Sequence, residues 1–151
     1  MINPFTKLKD KFSPKSPSTE KKQILIVDDD EKICFILKKI LESNPDYEIV
    51  GEAHDGNEAL ELYKLTKPDA IILDIKLPEM DGPTAMKHIL EINPNAKIIA
   101  LSALADRKTI VETIKAGASN YITKPVGVDQ LLEVLNETFY GFDADTNKST
   151  I

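Results

Sequence analysis

The chain has 151 residues, 42% of them apolar, which suffices for one domain with a full hydrophobic core and is too short for two ordinary ones. Its net charge of −6 is uneven: residues 1–22 hold six lysines against Asp10 and Glu20, a balance of +4, leaving −10 on the remainder. So acidic a body argues against non-specific nucleic-acid binding, where phosphate charge dominates affinity. No apolar run is long enough to span a membrane, the N-terminus lacks a signal-peptide core, and one cysteine excludes an internal disulfide; a cytoplasmic protein is expected.

In chain order, residues 3–12, NPFTKLKDKF, could form a short helix with Asn3 as cap and Pro4 in its first turn. Ile2, Phe5, Leu8 and Phe12 would share one face, as in an interfacial anchor or a partner-docking helix. The competing reading is a disordered extension, because so short a helix is marginal alone. The next stretch, SPKSPSTEKK, has the composition of a solvated linker, so 1–22 is read as a basic, flexible extension.

From Gln23 onward, strand-length apolar runs recur at 24–27, 47–53, 70–73, 98–101 and 119–123, the second being the weakest. Helical spacing fills the gaps. Ile33, Ile36, Leu37, Ile40 and Leu41 mark the first helix, with Asp30 as its cap and Cys34 as a small buried residue. Ala59, Leu60 and Tyr63 mark the second; Met86, Ile89 and Leu90 the third, which Gly82–Pro83 opens. Ile110, Val111 and Ile114 mark the fourth, with Gly117 where a left-handed residue closes a helix. Asp129 is the expected cap of a fifth, carrying Leu131, Leu132, Leu135 and Phe139. Five β-then-α units predict an α/β fold with a parallel sheet covered on both faces. The folded unit is expected over 23–139, with 140–151 as a short tail and no effector domain expected.

In doubly wound folds, ligands sit beyond the carboxyl ends of the strands. Those ends read Asp28, Asp29 and Asp30 on the first strand, Asp74 on the third, Ser102 on the fourth and Lys124 on the fifth. Clustered carboxylates raise one another's pKa unless a cation joins them. All-oxygen ligands suit Mg2+, which is held by one or two carboxylates plus phosphate. A lysine beside them could neutralise a transferring phosphoryl group, with Asp74 as nucleophile and the Ser102 hydroxyl bonding a phosphoryl oxygen. His54 and His88 have no ligand partners at useful spacing and are read as surface residues.

With these pieces in register, residues 23 to about 139 resemble the receiver domain of two-component response regulators, in its stand-alone, CheY-like class. The resemblance is carried by ILIVDDDEK, HDGNEAL, PDAIILDIKLPEMDG, IIALSA and KAGASNYITKP. It implies a flavodoxin-like, doubly wound sheet of five parallel strands in the order 2-1-3-4-5 with five helices. It implies Asp74 as phosphoacceptor and Asp28 and Asp29 as the acidic pair that binds Mg2+ (or Mn2+). Asp74 and the backbone carbonyl of Lys76 complete the expected ligand set. Ser102 becomes the switch hydroxyl, Tyr121 the aromatic that turns inward with it, and Lys124 the partner of the phosphoryl group. The Lys124–Pro125 bond is expected to be cis.

As partners, the resemblance implies a histidine kinase or histidine phosphotransfer protein as donor. It also implies a downstream protein bound on the helix 4–strand 5–helix 5 face, and a monomer or phosphorylation-dependent dimer. Val126 departs from the larger residue frequent after the Lys-Pro pair. Lys76 and Leu104 flank the phosphoryl position without an obvious group to orient water, so slow self-dephosphorylation is expected. Three other functions compete. A metal-dependent phosphotransferase or phosphatase acting on a small substrate would need an Asp-x-Asp pair, and here Lys76 follows Asp74 at the second position. A flavin-binding domain would need a hydroxyl- and glycine-rich loop where three acids stand. A receiver-like module that is never phosphorylated is disfavoured by five intact site positions.

Overall fold

The computed structural model describes residues 20–104 and 106–141. The candidate helix at 3–12 and the tail beyond residue 141 lie outside the described residues. Five strands, β1 (Lys22–Val27), β2 (Tyr47–Ala53), β3 (Ala70–Asp74), β4 (Ile98–Ser102) and β5 (Asn120–Thr123), alternate with five helices. The helices are α1 (Glu31–Glu42), α2 (Gly56–Thr66), α3 (Gly82–Ile92), α4 (Arg107–Lys115) and α5 (Val128–Tyr140). All strand pairs are parallel and the order is β2-β1-β3-β4-β5, as the resemblance implies.

Each central strand serves two cores, because successive side chains leave a strand on opposite faces. Ile24 and Ile26 pack in a cluster with Leu37 and Leu41 of α1 and Leu131 and Leu135 of α5. Leu25 and Val27 pack on the other face with Ala59 and Tyr63 of α2 and Met86 and Ile89 of α3. This is why β1, β3 and β4 read as unbroken apolar runs rather than as alternating ones. From β1 the chain moves outward to β2, then crosses back to β3 on β1's other side. The order therefore reverses between β1 and β3, and a crevice opens at their carboxyl ends.

Asp30 caps α1 as expected, its carboxylate accepting from Lys32 N at 2.8 Å. The Asp129 cap is a correction: α5 begins at Val128 with Gly127 as N-cap and no side-chain capping bond, so Asp129 lies in the first turn, where it meets the helix dipole instead. Gly117 has φ +122°, positive as expected. Two apolar stripes are less buried than their periodicity suggests. Ile36 on α1 is exposed, and α4 exposes Val111 and Ile114 while burying only Thr113. A register shift between Ile24 and Leu25 places a bulge in β2, the strand that read most weakly. No helix among the described residues is long and apolar enough to cross a membrane.

Candidate functional site

Asp28, at the end of β1, is fully buried, and its Oδ1 accepts from Asp30 N at 2.8 Å. Asp29 beside it is exposed. Asp74 ends β3 and is 3% exposed; its Oδ1 accepts from Lys76 N at 3.0 Å and its Oδ2 from Lys124 Nζ at 3.2 Å. The same ammonium lies 2.9 Å from Asp28 Oδ2, so Lys124 bridges the two carboxylates. Lys124 follows β5, its backbone N–H donates to Ser102 O at 2.8 Å, and the Lys124–Pro125 bond is cis.

These contacts leave more negative than positive charge. Carboxylate oxygens of Asp28, Asp29 and Asp74 lie within 4.8 Å of one another, with Lys124 as the ammonium between two of them. Burial pushes the Asp74 carboxyl above the usual carboxylate range and the charge of Asp28 adds to this; the Lys76 N–H and Lys124 only partly offset the rise. Burial works against the charged form of Lys124, but its contacts with Asp28 and Asp74 outweigh that and hold its pKa above the usual value. An oxygen-only donor set with an excess of negative charge over the single Lys124 ammonium fits a hard divalent cation such as Mg2+. Among the residues expected to hold it, the three aspartates converge; Lys76 is exposed, with its N–H on Asp74.

Ser102 is buried at the end of β4, one residue beyond Leu101, which pairs with Asp74 across the sheet. Its Oγ accepts from Leu104 N at 3.0 Å. Tyr121, on β5, donates its hydroxyl to Leu104 O at 2.6 Å. Leu104 thus joins the two residues assigned to the switch, a link that no sequence spacing announces.

Two further features escape the sequence reading. In the sequence Gly82 signals only a helix start, yet a Cβ there would lie 2.3 Å from Ile75 Cα and 2.7 Å from Asp74 O. The loop after Asp74 therefore closes over a position where only glycine fits. The second is a correction concerning His54: its Nε2 lies 2.6 Å from Glu52 Oε2, and Cys34 joins the pair on the far side of β1 from Asp74 in sheet order. The i, i+2 spacing of Glu52 and His54 was a visible signal, but their partner comes from α1. His88 makes only a loose surface contact with Glu91, at 3.8 Å.

Residues 24–136 match the family model described as response regulator receiver domain. The chain is 46% identical over 116 residues to the chemotaxis protein CheY of Thermotoga maritima, covering 77% of this chain and 96% of that protein. It is 43% identical to CheY of Bacillus subtilis over the same shares of the two chains. Among solved structures, it resembles the CheX-CheY-BeF3-Mg+2 complex from Borrelia burgdorferi, with a TM-score of 0.75 and 33% identity over 80% of this chain and 90% of that one. A CheY-like receiver domain protein from Methanospirillum hungatei matches with a TM-score of 0.71 and 36% identity, covering 78% of this chain and 93% of the other. The strand order, the acidic crevice and these relatives agree: the chain belongs to the response regulator receiver family.

Proposed function

We propose that the chain is a phosphorylation switch in which Asp74 accepts a phosphoryl group from a histidine kinase or histidine phosphotransfer protein and the phosphorylated form binds a protein target. The observation that carries this reading is the buried Asp74 carboxylate, held by Lys76 N at 3.0 Å and Lys124 Nζ at 3.2 Å beside Asp28. A carboxylate oxygen attacks phosphorus, the bond from phosphorus to the donor breaks, and the donor leaves with the bonding pair. Lys124 meets the transferred group's charge, and the Lys76 N–H orients the nucleophile. Asp28, Asp29 and Asp74, with the Lys76 carbonyl, would hold Mg2+ or Mn2+. Bound there, the ion supplies charge neutralisation across the transferring oxygens.

The new phosphoryl oxygens draw the Ser102 O–H toward them as a donor, pulling on a hydroxyl whose Oγ accepts from Leu104 N. Moving Ser102 and Leu104 disturbs the Tyr121 hydrogen bond, since Tyr121 holds the Leu104 carbonyl. The effect reaches the α4–β5–α5 face, where Val111, Ile114 and Val128 are exposed apolar residues available to a partner. Acetyl phosphate with Mg2+ should label the wild-type protein, and Asp74→Asn should abolish the label. Persistent labelling of that variant would refute Asp74 as acceptor.

The phosphorylated state is also expected to be long-lived. Leu104 is apolar, and the Lys76 side chain carries no acceptor for a water proton. Decay of the label after donor removal should be slow in the wild type and faster in Lys76→Asn, whose amide can hydrogen-bond an attacking water. Rapid wild-type decay, unchanged by Lys76→Asn, would contradict this.

A further inference from the structure

Among the described residues, a second group of potential metal ligands borders the aspartates, its Cys34 Sγ lying 3.4 Å from Asp28 O. Cys34 Sγ, a Glu52 carboxylate oxygen and a ring nitrogen of His54 lie within 4.8 Å of one another. We propose that Cys34, Glu52 and His54 form a site for a borderline-soft divalent cation of the zinc class, with a fourth position open to solvent. A sulfur, an imidazole nitrogen and a carboxylate oxygen are the donor types zinc takes, whereas Mg2+ prefers oxygen alone. The two sites therefore call for different ions.

The bulge in β2 builds this arrangement. Before it, Ile49 packs with the α1-side core; after it, Ala53 packs with the opposite core. Simple alternation from Ile49 would have put Ala53 on the α1 side and turned Glu52 and His54 away from it. The extra residue flips the register, so Glu52 reaches Lys38 of α1 at 2.7 Å and joins Cys34 one helical turn earlier. Bulges often re-aim a side chain beside a functional site, and this one aims two.

Cys34, 1% exposed, forms the floor of the site, while Glu52 and His54 are partly exposed and form its mouth. The ammonium of Lys38 now sits on Glu52, and its side chain is 40% exposed, so an entering cation can displace it into water. Binding exchanges the thiol proton for the metal: the S–H proton leaves to solvent, a sulfur–metal bond forms, and nothing is oxidised or reduced. In the structure Cys34 Sγ donates to Asp28 O at 3.4 Å, a contact given up when the proton leaves.

Co2+ tests the site as a spectroscopic probe, added to the full, reduced chain with excess Mg2+ present to occupy the aspartates. Cys34 is the chain's single cysteine, so a thiolate-to-cobalt charge-transfer band reports on this position alone. The expected result is a saturable band at one equivalent, displaced by Zn2+ and absent in Cys34→Ser. His54→Ala and Glu52→Gln should each weaken binding by more than the ~10–100-fold that loss of an outer-shell partner costs. Lys38→Met should tighten it by removing the competing cation, and Asp74→Asn should leave it unchanged. His54 is partly exposed, unlike the buried Cys34, so that variant tests the site even if Cys34→Ser folds poorly. No band in the folded wild type would overturn the proposal. So would a band indifferent to both His54→Ala and Glu52→Gln, which marks thiol binding alone, or one lost in Asp74→Asn.

Discussion

Asp74 is held in a state that disfavours its own charge. Burial and the neighbouring Asp28 raise its pKa, and Lys124 is shared with Asp28 rather than reserved for Asp74. A carboxyl whose folded pKa is raised costs stability once pH exceeds that pKa, and the cost is relieved as pH falls through it. Without divalent cations, Asp74→Asn should therefore unfold at a higher temperature than wild type at neutral pH. The difference should shrink toward acid. Mg2+ should reverse the order, since a ligand at a hundredfold excess over its dissociation constant stabilises by about 2.7 kcal/mol and the variant has lost a ligand. Thermal melts with chelator and with Mg2+ decide this; an Asn variant less stable than wild type in chelator would contradict it. The convergence of Asp28, Asp29, Asp74, Ser102 and Lys124 was legible because each stands at or just beyond the carboxyl end of a strand; the roles proposed for them rest on the family resemblance. The Leu104 bridge was not, because a backbone N–H and C=O serving two side chains leave no mark in residue identity.

At the scale of elements, the loop between β3 and α3 is fixed by what it cannot accommodate. Gly82 N donates to Ile75 O at 3.1 Å, and a Cβ at Gly82 would strike backbone atoms of Asp74 and Ile75, which cannot swing aside as a flexible side chain could. Gly82→Ala should destabilise by ~1–3 kcal/mol, as overpacking does, and slow phosphoryl uptake by moving the Asp74 carbonyl. Denaturant titration and the acetyl phosphate assay together check this; wild-type stability and uptake would show that the loop gives way freely. In the sequence, Gly82–Pro83 signals a helix start, and that start is present, with Asp81 as its cap. The close approach is tertiary and could not be read there. The same holds for α4, whose periodic Val111 and Ile114 look like a core stripe until the fold leaves them facing solvent. The β2 bulge hid the Glu52–His54 pair in the same way, by reversing an alternation that local sequence would extend unbroken.

For the whole molecule, the parallel α/β architecture was legible because both cores draw on the same strands. That forces continuous apolar runs separated by amphipathic helices. The strand order rested on the family resemblance, since nothing in apolar periodicity says which side of β1 receives β3. Once β1 and β3 are neighbours, Asp28 and Asp74 must meet at one crevice, and the parallel run to β5 brings Lys124 to it. The fold thus assembles acids and ammonium from separated segments with no motif longer than a strand end. The central claim is that Asp74 carries the phosphoryl group, and locating that group by mass measures it most directly. Protein treated with acetyl phosphate and Mg2+ is reduced with borohydride, which converts an aspartyl phosphate to homoserine, and is then digested and sequenced by mass spectrometry. Homoserine at position 74 alone, absent without Mg2+, is the expected result; conversion at Asp28 or Asp29, or a phosphoryl group on a histidine, would contradict it.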